Sequence, residues 1–352
     1  MANALLLTAC NCGGDAAPER PEPPEAEAQT DEADAPLFAS DEPVELALDD
    51  GESLLVATGG RLVRVPKAGG EATTLATLED RVIRDVARIG RRGVAILSYP
   101  RGDGPRSVSP PGDLRLLTLD TGAAPRVFMA DASISVQVET RNGALLLLDA
   151  PDDWTARVRT FDPDRLEVRE SWSMSGRGLP SVLLADDRGV FVGLETLSGT
   201  SAIGLHRLGA DQSDPPLFGG PIDTEFALAG DDLLALVSAA EPTTGPGGAA
   251  RVENPGALMR IDRQSHESST VGDRGFRNGR DLVVGPRHAC VVEHFPERLP
   301  ASAFDVTAIP LNGQDPPITI AEERGEAHCL LVDEDAVFLA TPRGVERVAL
   351  AQ

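Results

Sequence analysis

A short, nearly continuous run of apolar residues recurs seven times along this chain, and the recurrence constrains the fold more than any other feature. Runs of this kind, without alternating polar residues, predict strands that are covered on both faces. Many follow turn signals, among them Asp49-Asp50-Gly51, Asn142-Gly143 and Asp231-Asp232. The runs cover residues 54–57, 94–97, 145–148, 190–192, 233–236, 290–292 and 337–340.

A second and weaker apolar element follows each run, so the repeat has at least two parts. Its copies begin at Leu62, Leu116, Val158, Leu205, Leu258, Val306 and Val345. The mean spacing of roughly 47 residues is typical of four-stranded propeller blades. Pro and Gly interrupt nearly every window, and no sustained helical periodicity is present. The pattern predicts an all-β chain, a β-propeller of about seven four-stranded blades, with a six-bladed ring or a pair of β-sandwiches as alternatives.

The last unit lacks one predicted strand, which would leave a sheet edge open. Its three strands are predicted at 328–332, 336–341 and 344–350. The segment Ala35-Pro36-Leu37-Phe38-Ala39 resembles Pro215-Pro216-Leu217-Phe218-Gly219, which we interpret as the outer strand of the fourth unit. We therefore predict that the amino-terminal segment pairs with the seventh unit and closes the ring.

The amino terminus has the pattern of an export signal. Leu7-Thr8-Ala9-Cys10 resembles the lipobox of bacterial lipoproteins, in which the cysteine is acylated after cleavage before it. The preceding apolar run is short and has no Lys or Arg, so we expect residues 1–9 to be a truncated signal whose start codon lies upstream. Asn11 is not expected to act as an inner-membrane retention signal. The prediction is an exported lipoprotein of the outer membrane, facing the periplasm or the cell surface.

Residues 10–34 are rich in Pro, Glu, Ala and Asp and contain too little apolar surface to fold. We expect them to form an acidic, disordered tether behind Cys10, with the propeller at 35–352. The net charge of −24 argues against nucleic acid and against attachment to anionic lipid. No later apolar stretch is long enough for a transmembrane helix. Membrane contact is therefore expected through the lipid anchor only, and the protein is expected to be a monomer.

Cys290 and Cys329 fall in predicted inner strands of adjacent units. Two states are open for them: a disulfide, which an exported protein can keep, or two buried thiols that act as small apolar residues. His288, Cys290 and His294 share one strand face, with His328 one unit further on, but their spacing matches no zinc pattern. Calcium-loop, nucleotide-binding and catalytic signatures are missing from the sequence. We therefore predict no metal, no cofactor and no catalytic residue.

Loop lengths give the one positional hint about function. Three links between second and third strands are long, at 99–112, 238–256 and 295–302, and all should emerge on one face. Residues on or near them form a partly basic mouth suited to an anionic ligand or to an acidic segment of a partner. The alternative is that these insertions are surface loops that the fold tolerates and that have no binding role. The candidate residues of this face are Tyr99, Arg101, Arg106, Arg251, Arg277 and His294.

The lipobox and repeated units such as the segment 60–70, which begins Gly60-Arg61-Leu62-Val63-Arg64, resemble β-propeller lipoproteins of the bacterial cell envelope, a family of unassigned activity. The resemblance implies a non-enzymatic binding or scaffolding lipoprotein that presents its loop face to an envelope protein or a small ligand. One alternative is a propeller hydrolase or lyase with acids and histidines around the central channel. Another is a structural envelope protein with no dedicated ligand.

Overall fold

The computed structural model describes residues 35–350 except 92, 102–111, 120, 133, 153–154, 163, 166, 176–177, 197–201, 210–214, 222–223, 238–242, 245–249, 252–255, 277–278, 296–302 and 325. The described residues form 30 β-strands and no helix. Seven antiparallel sheets of four strands each, together with one two-stranded hairpin, account for all of them. The prediction of a seven-bladed propeller is therefore confirmed. The predicted signal segment, the tether and Cys10 lie outside the described residues.

The blades follow one another along the chain. Blade 1 contains β2 (Val44–Asp49), β3 (Ser53–Thr58), β4 (Arg61–Pro66) and β5 (Thr73–Thr77). Blade 2 contains β6 (Arg81–Ile89), β7 (Gly93–Pro100), β8 (Gly112–Thr118) and β9 (Arg126–Ala132). Blade 3 contains β10 (Ile134–Arg141), β11 (Ala144–Asp152), β12 (Thr155–Asp162) and β13 (Glu167–Ser175). Blade 4 contains β14 (Leu179–Ala185), β15 (Val190–Thr196), β16 (Ala202–Arg207) and β17 (Phe218–Pro221).

The remaining blades include the two exceptions to this order. Blade 5 contains β18 (Glu225–Ala229), β19 (Asp232–Val237), β22 (Ala257–Asp262) and β23 (Ser268–Thr270), and the hairpin β20 (Thr243–Thr244) and β21 (Ala250–Arg251) interrupts it. Blade 6 contains β24 (Gly279–Val284), β25 (His288–Phe295), β26 (Ala303–Pro310) and β27 (Ile318–Arg324). Blade 7 contains β28 (His328–Val332), β29 (Ala336–Thr341), β30 (Gly344–Ala349) and β1 (Phe38–Ala39).

The apolar runs are the second strands of the blades, and they carry the core. In β3 the residues 54–57 are fully buried, and residues 94–97 of β7 are equally buried. Each hydrophobic cluster draws residues from two neighbouring blades: Leu55 and Leu62 of blade 1 pack with Ile83 and Ile96 of blade 2. The core therefore lies between blades, which explains why the second strands are apolar on both faces.

The first strands surround the central axis. The first strand of every blade contacts the first strand of the next, and β28 of blade 7 contacts β2 of blade 1, so the ring is closed. Six of the seven first strands carry a register shift, as between Ile83 and Asp85 in β6 and between Arg280 and Val283 in β24. Bulges of this kind re-aim side chains.

The amino-terminal strand closes the ring as predicted. In β1, Phe38 lies opposite Val345 and Ala39 lies opposite Gly344 of β30. Gly344 has a φ of +124°, and a Cβ at this position would overlap the carbonyl oxygen of Phe38. Only glycine allows this close approach of the two backbones.

The two faces of the ring differ in their connections. The turn face carries the hairpins between first and second strands, and the loop face carries the links between second and third strands. Several cations on the turn face pair with carboxylates of a neighbouring blade. Arg88 of blade 2 lies 2.8 Å from Asp50 of blade 1, and Arg263 of blade 5 pairs with Asp186 of blade 4.

Candidate functional site

Two of the predicted loop-face residues, Tyr99 and Arg101, lie at the end of blade 2. Tyr99 is half-buried in β7, and a Cβ placed on Gly112 would lie 3.2 Å from its ring. The Nη2 of Arg101 donates to Oε1 of Glu42 at 2.7 Å, and its backbone N–H donates to the carbonyl of Asp80 at 2.7 Å. Arg101 therefore ties blade 2 to the segment that enters blade 1.

The other four predicted residues are distributed differently. Arg106 and Arg277 lie outside the described residues, and Arg251 lies in β21 with its side chain outside them. His294 lies in β25 of blade 6, and its ring stacks on Phe304 of β26 with a centroid separation of 4.7 Å and an angle of 19°. Among the described candidates, Arg101 and His294 share the loop face but lie on different blades.

His294 belongs to a cluster that the sequence did not indicate as a whole. The guanidinium of Arg280, the second residue of β24, lies over the same Phe304 ring, with Cζ 4.5 Å from the centroid. Phe304 itself is buried. A cation, a buried aromatic ring and an imidazole therefore meet at the loop-face end of blade 6.

Blade 7 adds an imidazole–carboxylate pair to this cluster. The Nδ1 of His328, the first residue of β28, lies 2.8 Å from Oδ2 of Asp281 in β24. This hydrogen bond raises the pKa of His328 above its ordinary value, against the opposing effects of burial and of Arg280. The Nε2 of His328 lies 3.7 Å from Oε1 of Glu326. We call Arg280, Asp281, His294, Phe304 and His328 the mouth cluster.

The backbone at Asp281 is held from the preceding blade. Asp281 lies in the bulge of β24 with a φ of +58°, a conformation that few non-glycine residues adopt. The carboxylate of Glu225, at the start of β18 in blade 5, accepts the N–H of Leu282 at 2.6 Å and also accepts the N–H of Asp281. Glu225 therefore holds the bulge that aims Asp281 at His328.

At two other seams, too, a first-strand side chain accepts a backbone N–H from the first strand of the next blade. Asp85 of β6 accepts the N–H of Val138 in β10 at 2.7 Å, and Gln137 of β10 accepts the N–H of Leu183 in β14 at 2.8 Å. Burial raises the pKa of Asp85 to about 7. Burial, together with the charge of Asp85, raises the pKa of Glu139 to about 8. Asp85 and Gln137 therefore each connect their blade to the next, and the carboxyl of Asp85 is electrostatically coupled to that of Glu139.

A disulfide crosses the seam next to the mouth cluster. It joins Cys290 of β25 to Cys329 of β28, with their Cα atoms 6.4 Å apart. Cys329 is the neighbour of His328, so the bond connects the blade that carries Arg280 to the blade that carries His328. Of the two states open from the sequence, the structure contains the disulfide.

The described part of the chain contains no group of three or more His, Cys, Asp or Glu side chains arranged to hold a metal ion. Within the same residues, no helix has the length and hydropathy needed to cross a membrane. The chemistry that the mouth cluster offers is anion binding by Arg280 and proton exchange by the Asp281–His328 pair.

The sequence analysis named His294 as a loop-face candidate and placed His328 one unit further on. It did not single out Arg280, Asp281 or Phe304. The available signal was charge at the start of a first strand, which is the part of a blade that faces the channel mouth.

No protein-family model matches this sequence, and no curated protein matches it either. Solved structures do resemble it. The β-propeller domain of the Trilobed protease from Pyrococcus furiosus, which has an open velcro topology, matches with a TM-score of 0.57 and 13% identity over 89% of this chain and 97% of that chain. Hydrazine synthase from Kuenenia stuttgartiensis matches with a TM-score of 0.59 and 9% identity over 89% of this chain and 97% of that one.

The tricorn protease matches with a TM-score of 0.54 and 13% identity over 88% of this chain. This chain spans 34% of the tricorn protease chain. Similarities at such low identity show the fold alone. Sequence repeat, sheet topology and structural neighbours agree that the chain is a seven-bladed β-propeller, here closed by an amino-terminal strand.

Proposed function

We propose that this propeller is a non-enzymatic binding or scaffolding protein that presents its loop face to a protein or small-molecule partner. The observation that carries the proposal is one loop-face cation, Arg280, that is not paired as other cations are. Loop-face arginines such as Arg81 and Arg101 pair with Asp113 and Glu42. Turn-face cations such as Arg88 and Arg263 are paired with carboxylates of the neighbouring blade and hold the ring together. Arg280, on the loop face, lies over Phe304, and neither Nε nor Nη2 has a hydrogen-bond partner among the described residues, although its charge acts on the buried Glu225.

The loop face also has the architecture that binding proteins use. Rigid blades carry the links between second and third strands, and functional residues concentrate on such links. The long links at 99–112, 238–256 and 295–302 all emerge there. In a protein with a net charge of −24, this mouth places an arginine and two histidines beside Asp281 and the exposed Glu326, so groups of both signs meet there.

The proposal extends to where the protein acts. If Cys10 is acylated, the propeller is displayed at the cell envelope on an acidic tether, with the outer membrane as the expected site. Its partner is then an envelope protein or a small ligand of that compartment. Metabolic labelling with a radioactive or alkyne-tagged fatty acid tests this: label is expected in the wild-type chain and not in Cys10→Ala. Label in neither chain would contradict the anchor while leaving the binding face untouched.

Site-specific photo-crosslinking tests the binding face in the native host. A photoreactive phenylalanine analogue at position 99 reports on the loop face, and the same analogue at Arg91, an exposed residue of the turn face, is the matched control within blade 2. A discrete adduct from position 99 but not from position 91 is expected. Equal adducts from both positions, or none from position 99, would overturn the proposal.

An enzymatic function is the second candidate, and the Asp281–His328 pair is the observation in its favour. A carboxylate on Nδ1 orients an imidazole whose Nε2 can accept a proton, as general bases require. Two of the similar structures are proteases by name, which adds weak support for a hydrolase. Turnover of a panel of esters and lactones by the wild-type protein, lost in His328→Gln, would favour this candidate. No turnover leaves the binding function in place.

A further inference from the structure

Arg280 has an unusual hydrogen-bond status. Two of its guanidinium nitrogens, Nε and Nη2, are buried and have no hydrogen-bond partner among the described residues. The guanidinium lies over the ring of Phe304, and its charge acts on Glu225 and His328 without a hydrogen bond to either. Burying donors of a charged group without acceptors is costly, because the lost hydration is not replaced. The side chain as a whole is half-buried, so part of it still reaches solvent.

Another arginine of the chain shows which kind of acceptor the Nε and Nη2 of a guanidinium bind together. In blade 3, Nε of Arg157 donates to Oδ1 of Asp149 at 2.9 Å, and Nη2 donates to Oδ2 at 2.7 Å. This is the side-on, two-pronged geometry by which arginine recognises a carboxylate. At Arg280 the same edge of the guanidinium has no such acceptor among the described residues.

The charge of the mouth cluster selects the kind of anion. Asp281 shares a hydrogen bond with His328 and offsets any positive charge on its ring, so Arg280 is the fixed positive charge of the cluster, and this charge also acts on the buried Glu225. Glu326, whose side chain is 67% exposed beside His328, adds negative charge at the rim. A group with a single negative charge fits this balance, whereas a phosphate dianion would be repelled by the acidic surroundings.

We infer that the loop-face mouth at blades 6 and 7 is a binding site for a carboxylate group, held by the guanidinium of Arg280 and approached from the other side of the seam by His328. Because Nε and Nη2 are buried, the guanidinium must turn over Phe304 to present them to the ligand. The inference rests on the proposed function in taking the loop face as the binding face, and it adds the chemistry of the ligand: a free carboxylic acid or a carboxylate of a peptide partner.

The five histidines of the chain make a site-specific test possible. In protein labelled with ¹³C at its histidine rings, His294 and His328 report on the mouth, and His206, His266 and His288 report on the rest of the propeller. The probes are acetate, an N-acetylated tripeptide with a free terminal carboxylate, its amidated twin, and inorganic phosphate. Acetate and the acid peptide are expected to shift the His328 and His294 signals in a saturable way and to leave the other three in place.

The controls distinguish carboxylate binding at Arg280 from nonspecific electrostatic attraction. The amidated peptide is expected to cause at least about a tenfold weaker shift, the effect of losing a charge-assisted hydrogen bond. Arg280→Gln should abolish the response, while Arg84→Gln, which removes an exposed arginine from the first strand of blade 2, should preserve it. The unchanged signals of His206, His266 and His288 verify that Arg280→Gln is folded; if they move, the acid and amide peptides on wild-type protein decide alone.

Three outcomes contradict the inference. Phosphate that binds more tightly than acetate would overturn the charge argument, and equal binding of the acid and amide peptides would overturn carboxylate recognition. No response to acetate or acid peptide would remove the site altogether. This titration uses purified protein, so its failure can be distinguished from a failure of crosslinking in the host. A loop-face adduct without carboxylate binding would support the proposed function and reject the carboxylate as ligand. A response to acetate without one to the acid peptide identifies a small-molecule ligand.

Discussion

Lys67, the only lysine of the chain, joins blade 1 to blade 7 through Asp333, with Nζ 2.7 Å from Oδ2. The same ammonium lies 3.0 Å from Asp49 and 5.9 Å from the centroid of the Phe338 ring. Burial opposes the charge on Lys67, but the hydrogen bonds to Asp333 and Asp49 outweigh it and raise the pKa. The hydrogen bond from Lys67 lowers the pKa of Asp333. This pair lies at the seam where the ring closes.

Replacing Lys67 with Met is expected to lower the free energy of unfolding by about 1 kcal/mol, a modest effect because Asp333 is one-third exposed. Urea unfolding measures it, and Asp333→Asn should cost a similar amount. A double-mutant cycle isolates the pair: the loss in the double variant should be smaller than the sum of the two single losses. Strict additivity would show that the pair makes no energetic contribution to the seam.

Gly344→Ala is expected to destabilise the ring by several kcal/mol, because the new Cβ would overlap the Phe38 carbonyl and push β1 away. Gly70→Ala is a matched control, since Gly70 has a φ of +120° close to the +124° of Gly344 but nothing within 4 Å of its Cβ position. That control should show only the cost of the backbone conformation, about 1–3 kcal/mol. Equal thermal shifts for the two variants would contradict the close-approach argument.

Deleting residues 35–41 removes β1 altogether and should lower the melting temperature sharply. The deletion exposes the edge of β30 and uncovers the apolar contacts of Leu37 and Phe38 with the core between blades 7 and 1. Differential scanning calorimetry measures the change. An unchanged melting temperature would mean that the ring does not depend on its closing strand.

Stability should fall as the pH rises from about 4 to about 8, because of the Asp85–Glu139 pair. Their pKa values are raised from 3.8 to about 7 and from 4.5 to about 8, so in this range the folded state holds protons that the unfolded state has lost. Asp85→Asn and Glu139→Gln should flatten this dependence, as measured by urea unfolding across the range. Glu139→Gln is the milder test, because both oxygens of Asp85 accept backbone N–H groups, from Val86 and Val138, and an asparagine amide can accept only one of them. An unchanged slope in both variants would assign the pH dependence to other groups.

Removing the disulfide with Cys290→Ala and Cys329→Ala together should lower the free energy of unfolding by about 2–4 kcal/mol, since the bond closes a long loop in the unfolded chain. A reducing agent should produce a similar loss in the wild-type protein and none in the double variant. If the reductant has no effect on wild-type unfolding, the bond does not contribute to stability.

The blade pattern could be predicted because it is local in the sequence. Runs such as 54–57 mark a second strand by themselves, and the likeness of Phe38 to Phe218 was enough to identify β1 as an outer strand. The hairpin of β20 and β21 was missed, since its strands of two residues are too short to show alternation.

The mouth cluster was harder to predict because it depends on relations between blades. Asp281 reaches His328 only because a bulge turns it and Glu225 of another blade holds that bulge. Arg280 finds Phe304 through the sheet, more than twenty positions along the chain. His294 could be assigned to the loop face from its link alone, whereas the pairing of the other residues depends on register shifts that no sequence period records.

The closing strand β1 can in principle be exchanged between two copies of the chain. β1 is held by a short pairing with β30, and the edge that it occupies is identical in every copy of the chain. When several chains refold at high concentration, the segment around Phe38 of one copy fits the edge beside Val345 of another as well as its own. Strand exchange between copies then competes with closure, and the dilution at which refolding is carried out decides which product forms.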